Sequence, residues 1–532
     1  MRTILITALA CAALAAACSK TQEPAAGAVP SAPAASESIA WVRTKTTADI
    51  DSALARAKAD KKPVFLFWTA QWCPPCNHVK SMIFTRTDFV AKSRSFVPVY
   101  IDGDTPSGQA LGQRFKVSGY PTMVLLAAEG NEVTRLEGSV EPAKYMQLLD
   151  YGLAGGASAR ELLAAALAGQ PVSSEGWRLL AYYSWGTDDD QLVPERDVPA
   201  TLLKLARSCP PSQRESASRL VLQALGAVAT AADDAKPSFA SLDKADALAS
   251  VKSVLAQPEL VREHYDQLAF SGDDIVGMLT APKTVERAEL AQRWSAALDS
   301  LAKDATLSWA GRVWATGGQV AIARLDNKDG ALPAPLLQQV RAQAAGADRE
   351  VTDINERQSV IYSAGSMLAR AGLLDESDAL ITRELKRSHS PYYYMLVLAS
   401  NAKKRQTPAG NAAAIDWARQ GYETSVGPAT RLEWGGWYLR YLVDLAPEDE
   451  AQIEKTALSI IGELRTESGA FSGRSKRTFE RISKWLDKWN KDGNHTAVLA
   501  RLSAKLTPMC VPAAADSADR AACESLFKPA HS

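Results

Sequence analysis

The segment between residues 64 and 76 reads VFLFWTAQWCPPC. Its first part, residues 64–68, is a continuous apolar run, which is typical of a parallel strand buried on both faces. After the second cysteine, apolar residues recur at helical spacing at Val79, Met82 and Ile83. The two cysteines of this segment therefore lie where a buried strand ends and a helix begins.

This position has a chemical consequence for the cysteine pair. A thiolate is the nucleophile of disulfide exchange, and a helix N-terminus stabilises it through a partial positive charge and unpaired N–H groups. Pro74 takes the first helical position, where its missing N–H costs nothing. Cys76 is one turn away, within disulfide reach of Cys73, and is expected to be the more buried. We predict Cys73 as the attacking thiol and Cys76 as the resolving thiol, with this redox-active pair as the reactive group and no separate cofactor.

Other interpretations of the pair stay open. Half a zinc site needs two further ligands, and only His78 is close in sequence, so no metal is expected. A binding module without redox chemistry is a second alternative, but such modules have commonly lost a cysteine and both are present here. His78 is expected on the surface of the helix rather than in catalysis.

The residues around the pair alternate between strand and helix patterns. This order predicts an α/β sandwich over residues 41–153. The predicted segments are a helix at 49–59, a strand at 96–102, a helix at 109–115, an antiparallel strand pair at 123–126 and 132–136, and a helix at 142–149.

The motifs of this region resemble the thioredoxin superfamily. Trp72 directly precedes the Cys-x-x-Cys motif at 73–76, and Gly-Tyr-Pro-Thr at 119–122 places a proline 48 residues after the first cysteine. Gly138 follows the last predicted strand. The Gly-Tyr-Pro-Thr motif is similar to protein disulfide isomerase. Residues 84–90, FTRTDFV, resemble the C-terminal domain of the bacterial transmembrane thiol:disulfide interchange reductase.

The resemblance implies a thiol:disulfide oxidoreductase and several residue roles. The bond before Pro121 is expected to be cis, with its loop facing the cysteine pair and lining the substrate groove. Trp72, Tyr120 and Pro121 are therefore the predicted substrate-binding residues. One departure is Phe67, because thioredoxin has a buried aspartate there that handles the proton of the resolving thiol. Proton transfer at Cys76 then needs water or another group, and the resolving step is expected to be slower.

The sequence favours reduction or isomerisation of disulfides over their formation. Pro75 removes one N–H from the turn between the cysteines, and no histidine lies between them. We therefore expect Cys73 to be moderately acidic, closer to thioredoxin (pKa about 7) than to strong oxidants (pKa about 3.5). A reductase needs an electron source, and the resemblance implies an inner-membrane reductant.

The N-terminus has the pattern of an export signal. The uncharged run 4–17 is short for a bilayer span, so residues 1–17 are predicted to be a signal peptide. Leu-Ala-Ala-Ala-Cys18 resembles the lipobox of bacterial lipoproteins and implies a lipid on Cys18; ordinary cleavage that leaves this cysteine unmodified is the alternative. Residues 18–40 are an Ala/Pro/Ser-rich linker with too little apolar surface to fold. The prediction is a lipid-anchored protein on the periplasmic side, with the outer membrane favoured because Ser19 is not aspartate.

In the remaining sequence, apolar residues recur at helical spacing, which predicts an all-helical domain over residues 155–505. Aromatic residues such as Trp434, Trp437 and Tyr441 recur at three- and four-residue spacing. They are expected in the core, the alternative being a docking surface for a partner. Residues 368–380 resemble one tetratricopeptide hairpin, but a single hairpin does not establish a repeat.

Three cysteines remain after the motif and the N-terminus. Cys510 and Cys523 are 13 residues apart in the segment 506–532, which is predicted to be a loop-like tail. In an oxidising compartment they predict a structural disulfide, the alternative being a second redox pair served by Cys73. Cys209 has no partner and is expected to be buried and inert.

Composition narrows the possible partners. The 532 residues include 60 Lys+Arg and 60 Asp+Glu, so the formal net charge of zero argues against nucleic-acid binding through bulk electrostatics. Protein thiols and disulfides in the periplasm are the expected partners. The alternative function is a helical interaction protein that recruits partners, whose thioredoxin-like domain binds its clients without turning them over.

Overall fold

The computed structural model describes residues 38–117, 119–138, 140–188, 191–230, 243–466, 469–514 and 516–528. The predicted signal peptide, Cys18 and the linker up to residue 37 lie outside these ranges. Within the described ranges, no helix combines the length and apolar character that crossing a bilayer requires.

A five-stranded mixed sheet forms the centre of the N-terminal part. Its strands are β1 (Val42–Arg43), β2 (Val64–Thr69), β3 (Val97–Asp102), β4 (Thr122–Leu126) and β5 (Glu132–Leu136), in the order β1-β3-β2-β4-β5. β2 pairs in parallel with β3 and antiparallel with β4, which in turn pairs antiparallel with β5. All six residues of β2 are buried, as the apolar run predicts for a strand covered on both faces.

Helices cover both faces of this sheet. They are α1 (Thr47–Asp60), α2 (Pro74–Met82), α3 (Thr87–Lys92), α4 (Pro106–Arg114) and α5 (Pro142–Leu153). Alternate residues of β2 enter two separate cores, with Phe65 and Phe67 on the cysteine side and Leu66 and Trp68 on the other. α4 begins before its predicted start because Thr105 caps it, accepting a hydrogen bond from the backbone N–H of Gly108 (3.0 Å). The predicted α/β sandwich is confirmed.

The rest of the chain is helical, as predicted. In the described ranges it contains α6 (Ala159–Leu167), α7 (Ser174–Ala181), α8 (Val198–Ser208), α9 (Arg214–Thr230), α10 (Lys244–Leu255), α11 (Pro258–Glu263), α12 (Tyr265–Leu279), α13 (Val285–Lys303), α14 (Trp309–Arg324), α15 (Ala334–Glu350), α16 (Ile354–Arg370), α17 (Leu374–Leu385), α18 (Pro391–Lys404), α19 (Pro408–Thr424), α20 (Pro428–Leu445), α21 (Glu450–Gly462), α22 (Gly473–Trp489), α23 (Thr496–Ala513) and α24 (Ser517–Ser525). Neighbouring helices pack in pairs, such as α13 with α14 and α18 with α19.

A helical hairpin occupies the segment that resembles a tetratricopeptide hairpin. α16 and α17 pack together across a turn in which Gly372 has a φ of 87°, a conformation that favours glycine. Gly365 allows the close approach, because a Cβ there would lie 2.5 Å from Cδ1 of Ile381. The hydroxyl of Ser377 donates to the carbonyl of Gly365 across the same contact (2.8 Å).

The helical region packs against the α/β part, and residues 39–532 form one compact unit. α16 packs against α2, and α22 packs against α4. A buried ionic contact joins α9, α12 and the loop after β5: the Arg219 guanidinium donates to both oxygens of Asp266 (3.0 and 2.8 Å) and to Glu137. The cysteine-bearing helix α2 therefore lies between its own sheet and the helical region.

The C-terminal segment is helical, so the prediction of a loop-like tail was wrong. α23 continues through Pro508 and Pro512, and Cys510 and Cys523 lie within α23 and α24. A disulfide joins these two cysteines, with their Cα atoms 5.7 Å apart and both side chains fully buried. Proline in a helix interior costs about 3 kcal/mol. Here burial of one face of α23 in the core offsets that local preference.

Candidate functional site

The predicted redox pair forms a disulfide at the start of α2. Cys73 is the N-cap residue, Pro74 and Pro75 occupy the first two helical positions, and the two cysteine Cα atoms are 5.2 Å apart. The backbone N–H of Cys76 donates to Sγ of Cys73 (3.2 Å). Cys76 is fully buried and Cys73 is only 2% exposed. The Cys73 sulfur thus has a helix N-terminal donor but very little contact with solvent.

The loop before β4 carries the predicted cis peptide bond. The Tyr120–Pro121 bond is cis, which confirms that expectation. Gly138 fits this loop against α2, because a Cβ at Gly138 would lie 2.8 Å from Cγ of Pro121 and 2.9 Å from Cγ2 of Val79. A side chain at position 138 would therefore push the proline loop and the active-site helix apart.

Tyr120 is fixed inside the α/β part by its hydroxyl. That hydroxyl donates to the carbonyl of Gly103 (2.8 Å) and accepts from the side-chain amide of Gln109 (2.7 Å). Burial raises the pKa of Tyr120 above the usual range of a phenol. The hydroxyl of Tyr120 is therefore fully engaged within the α/β part.

Trp72 is held by the helical region. Its ring stacks on Tyr393 (centroids 5.4 Å apart, planes 16° apart) and meets Trp434 edge-on at 5.2 Å. The guanidinium carbon of Arg474 lies 4.5 Å from the centroid of the Trp72 ring. Its indole N–H donates to the carboxylate of Asp104 (3.0 Å). The tryptophan next to the attacking cysteine is thus part of the interface between the two parts of the protein.

Asp104, in the loop after β3, is the polar centre of this interface. Its carboxylate accepts hydrogen bonds from the Thr430 hydroxyl (2.5 Å) and the Arg474 guanidinium (2.8 Å). Arg474 also donates to Glu433 (2.5 Å), while its backbone N–H donates to the side chain of Gln109 (3.0 Å). Burial raises the pKa of Asp104 despite the opposing effect of Arg474. No local sequence pattern indicates this cluster, which joins residues more than 300 positions apart.

The outer face of α2 is covered, so the prediction that His78 lies on the surface was wrong. His78 is 2% exposed, and its ring centroid lies 5.3 Å from that of Trp314 in α14. His389, which follows α17, has its Nε2 within 3.1 Å of the carbonyl oxygen of Gln71. The physical reason is that the helical region covers α2, which the local helical spacing cannot indicate.

We expect the buried His78 to weaken the fold at acidic pH. Burial lowers its pKa to about 4 from 6.5, so protons bind the unfolded chain more tightly than the folded one. Stability is full above pH 6.5 and falls as the pH drops towards 4. At pH 5, His78 costs about 2 kcal/mol. His78→Leu should reduce the difference in free energy of unfolding between pH 8 and pH 5 by that amount in urea titrations.

The other buried histidine serves as the internal reference for this test. Burial also lowers the pKa of His264, to about 3. Because His264 is present in both the wild type and His78→Leu, its contribution cancels in the comparison. An equal pH dependence of wild type and His78→Leu would contradict the prediction.

Phe67 lies in the same core as Cys76, at the position where the thioredoxin resemblance implies an aspartate. Phe67 is fully buried, with its ring centroid 4.8 Å from that of Phe84 and 5.7 Å from that of Tyr100. Lys80, one turn after Cys76 on α2, donates to the side chain of Asn77 (3.3 Å). Burial lowers the pKa of Lys80 to about 8. A titratable group is therefore present on the helix of the resolving thiol, although no carboxylate replaces the family aspartate at position 67.

The remaining cysteines lie away from this chemistry. Cys510 and Cys523 belong to the core that α18–α24 share, whereas Cys73 and Cys76 belong to a separate core that the α/β part shares with α6–α9. Cys209 is buried, as expected, and burial raises the pKa of its thiol to about 11, which keeps it protonated. In the described ranges, no group of three or more His, Cys, Asp or Glu residues is arranged to hold a metal ion.

The fold and the site together define a thioredoxin-like domain. Residues 50–153 match the family described as "Thioredoxin-like domain". Thioredoxin H5 of Arabidopsis thaliana is 31% identical over 97 residues, which cover 18% of this chain and 76% of that protein. The chain therefore belongs to the thioredoxin family through this domain, and a large helical region follows it.

Within the family, this domain resembles those of larger proteins. Thiol:disulfide interchange protein DsbD 2 of Pseudomonas aeruginosa is 29% identical over 118 residues, 21% of this chain and 20% of that protein. Thiol:disulfide interchange protein DsbD of Klebsiella pneumoniae is 31% identical over 111 residues, 20% of this chain and 18% of that protein. The chain thus spans about a fifth of the length of these two relatives.

Proposed function

We propose that this protein is a thiol:disulfide oxidoreductase that reduces or isomerises protein disulfides. The Cys73 thiolate attacks a substrate disulfide, forms a mixed disulfide and releases one substrate thiolate, which takes up a proton. The Cys76 thiolate then attacks the Cys73 sulfur and releases the second substrate thiol. Reduction passes two electrons to the substrate and leaves the Cys73–Cys76 disulfide; in isomerisation a substrate thiol releases Cys73 instead.

One observation carries this proposal: the pair lies at the start of α2, with the N–H of Cys76 donating to Sγ of Cys73. A donor in that position stabilises the thiolate of the reduced enzyme and so lowers the pKa of the attacking thiol. The thioredoxin family membership and the similarity to the two interchange proteins agree with this chemistry.

The test of the proposal is a redox titration of the full chain in glutathione buffers, together with an insulin-reduction assay. Because Pro75 removes a donor from the turn, we expect a reduction potential between about −270 and −150 mV and thiol-dependent turnover of insulin. A potential more oxidising than about −150 mV would contradict a reducing or isomerising role.

Cys73 is almost completely buried, and this burial supports a competing function, that of an interaction protein. An interaction protein that recognises clients without exchanging disulfides needs no solvent-accessible sulfur. That function predicts no turnover of insulin at any reductant concentration, whereas the oxidoreductase predicts turnover that depends on the thiol reductant. The two proposals therefore separate in a single assay.

We further propose that the protein acts on the periplasmic side of a bacterial membrane, anchored by a lipid on Cys18. The export signal and the lipobox-like sequence support this location. A reductase there would take its electrons from an inner-membrane reductant, and an outer-membrane anchor makes that delivery harder.

Cys18→Ser should move the protein from the membrane fraction to the soluble periplasmic fraction, whereas Cys11→Ser should leave it membrane-bound. Unchanged fractionation of Cys18→Ser would contradict the anchor.

A further inference from the structure

A pocket of about 460 Å³ opens beside Trp72. Apart from this tryptophan, the residues that line it belong to α16, α18 and α20 of the helical region. Its aromatic wall consists of Trp72, Tyr362, Tyr393, Trp434, Trp437 and Tyr441. We call it the aromatic pocket. Its volume lies within the range of about 300–1,000 Å³ that is usual for ligand sites.

A buried amide with an unused acceptor lines the aromatic pocket. Asn401 is 1% exposed, and its amide nitrogen donates to the Ser377 hydroxyl and the Asp378 carboxylate (both 2.9 Å). Its side-chain oxygen has no hydrogen-bond partner among the described residues. Buried polar atoms are usually paired, so this oxygen is an acceptor that remains available to a donor entering the pocket.

Two unneutralised cations lie at the same pocket. Arg370 and Lys404 are exposed, and neither side chain forms an ion pair within the described part of the chain. The acidic residue of the pocket wall, Glu433, is already paired with Arg474. The free charge of the aromatic pocket is therefore positive, which favours an anionic ligand.

We propose that the aromatic pocket binds the polypeptide that carries the substrate disulfide, taking an aromatic side chain with an acidic residue next to it. This inference rests on the proposed function. The aromatic wall suits a ring, the two cations suit a carboxylate, and the Asn401 oxygen suits a peptide N–H. Trp72, which lines the pocket, immediately precedes Cys73, so the pocket adjoins the residue that would carry the mixed disulfide.

This assignment gives the helical region a role in substrate choice. In the thioredoxin-like domain alone, Trp72 would lie beside the cysteine pair with none of the helical aromatic residues around it. The helical region supplies Tyr393 and Trp434 against its ring and a second contact region for the substrate chain. Disulfides flanked by an acidic–aromatic segment should therefore bind in preference to others.

The test uses fluorescein-labelled decapeptides in which serine replaces cysteine, so that binding is measured without disulfide exchange. The probe contains an Asp-Phe pair, and the comparison peptides contain Lys-Phe or Asp-Ala. Fluorescence anisotropy with the full chain should give a Kd at least 10-fold lower for the Asp-Phe peptide than for either comparison peptide. The double variant Arg370→Glu, Lys404→Glu should weaken Asp-Phe binding at least 10-fold.

The matched control reverses the charge of two cationic residues that do not line the pocket. Arg293 and Lys328 are exposed, so the variant Arg293→Glu, Lys328→Glu has the same change in net charge and should keep the Kd within twofold of wild type. Equal binding by the Arg370→Glu, Lys404→Glu variant would overturn the proposal. Displacement of the peptide by oxidised glutathione at the same concentration as unlabelled peptide would also overturn it, because a small disulfide would then be the occupant.

The peptide-binding assay and the insulin assay test the two proposals separately. Specific peptide binding without insulin turnover would support the aromatic pocket and contradict the oxidoreductase. Insulin turnover without any preference for the Asp-Phe peptide would support the oxidoreductase and contradict the pocket assignment.

Discussion

Cys76→Ala is expected to stop insulin reduction at the mixed disulfide and to reduce turnover on the order of 10³-fold or more. The attacking thiol remains at the start of α2, so the first exchange proceeds. The resolving thiol is absent, so the substrate stays bound through Cys73. Non-reducing gels and mass spectrometry of tryptic peptides should show client proteins attached at Cys73, and reductant should release them.

Two variants make this trapping result specific. Cys73→Ser together with Cys76→Ala removes the nucleophile and should trap nothing. Cys209→Ser removes a buried thiol whose raised pKa keeps it protonated, and it should retain wild-type turnover. Clients that remained attached in the Cys73→Ser, Cys76→Ala variant would show that another cysteine is the attacking group.

Arg474→Ala is expected to lower the free energy of unfolding by about 3–5 kcal/mol. The Arg474 side chain is 12% exposed and is the shared counter-charge of Asp104 and Glu433, whose side chains are 9% and 19% exposed. Its removal leaves the largely buried Asp104 without a cation and leaves Glu433 with only the longer ion pair to Arg481 (3.8 Å). It also takes a guanidinium from the face of Trp72. Urea titrations of wild type and variant at neutral pH measure this loss.

Two further variants relate this effect to the buried charges. Arg419 forms exposed ion pairs with Asp416 and Glu423, so Arg419→Ala should change stability by less than about 1 kcal/mol. Adding Asp104→Asn to Arg474→Ala removes the unpaired carboxylate and should recover part of the loss. A loss below about 1 kcal/mol in Arg474→Ala would show that water, rather than the protein, satisfies this cluster.

The position of the cysteine pair at the junction of β2 and α2 could be predicted because its signals are local. The apolar run of β2, the proline at the first position of α2 and the two cysteines all lie within residues 64–76. Each acts through the backbone of its neighbours, so spacing alone locates the end of the strand and the start of the helix.

The residues of the helical region that cover the cysteine pair and α2 could not be predicted in this way. Asp104 meets Arg474 across 370 positions of sequence, and neither residue has a local pattern that indicates the other. Trp434 is a core residue, as its spacing predicts, but the structure also places it against Trp72, which periodicity cannot show. For the same reason His78 was assigned to the surface.

The C-terminal segment shows tertiary packing overriding local preference. Pro508 and Pro512 disfavour a helix, yet the segment that was predicted to be a loop-like tail is helical. The helix forms because Leu502, Leu506 and Cys510 on one face of α23 are buried in the core. A prediction from sequence needs to know that this core exists before it can weigh the prolines correctly.

The two partners of the Asp104–Arg474 ion pair are synthesised at very different times. Synthesis starts at the N-terminus, and 321 residues separate Leu153, the end of α5, from Arg474. At about 5–20 residues per second, this interval lasts roughly 16–64 s. The polypeptide of the thioredoxin-like domain is therefore complete before its partner arginine is synthesised, and until then Asp104 and Trp72 lack the contacts that the helical region provides. A ribosome that stops short of residue 474 releases a chain that contains the whole redox motif without its cover.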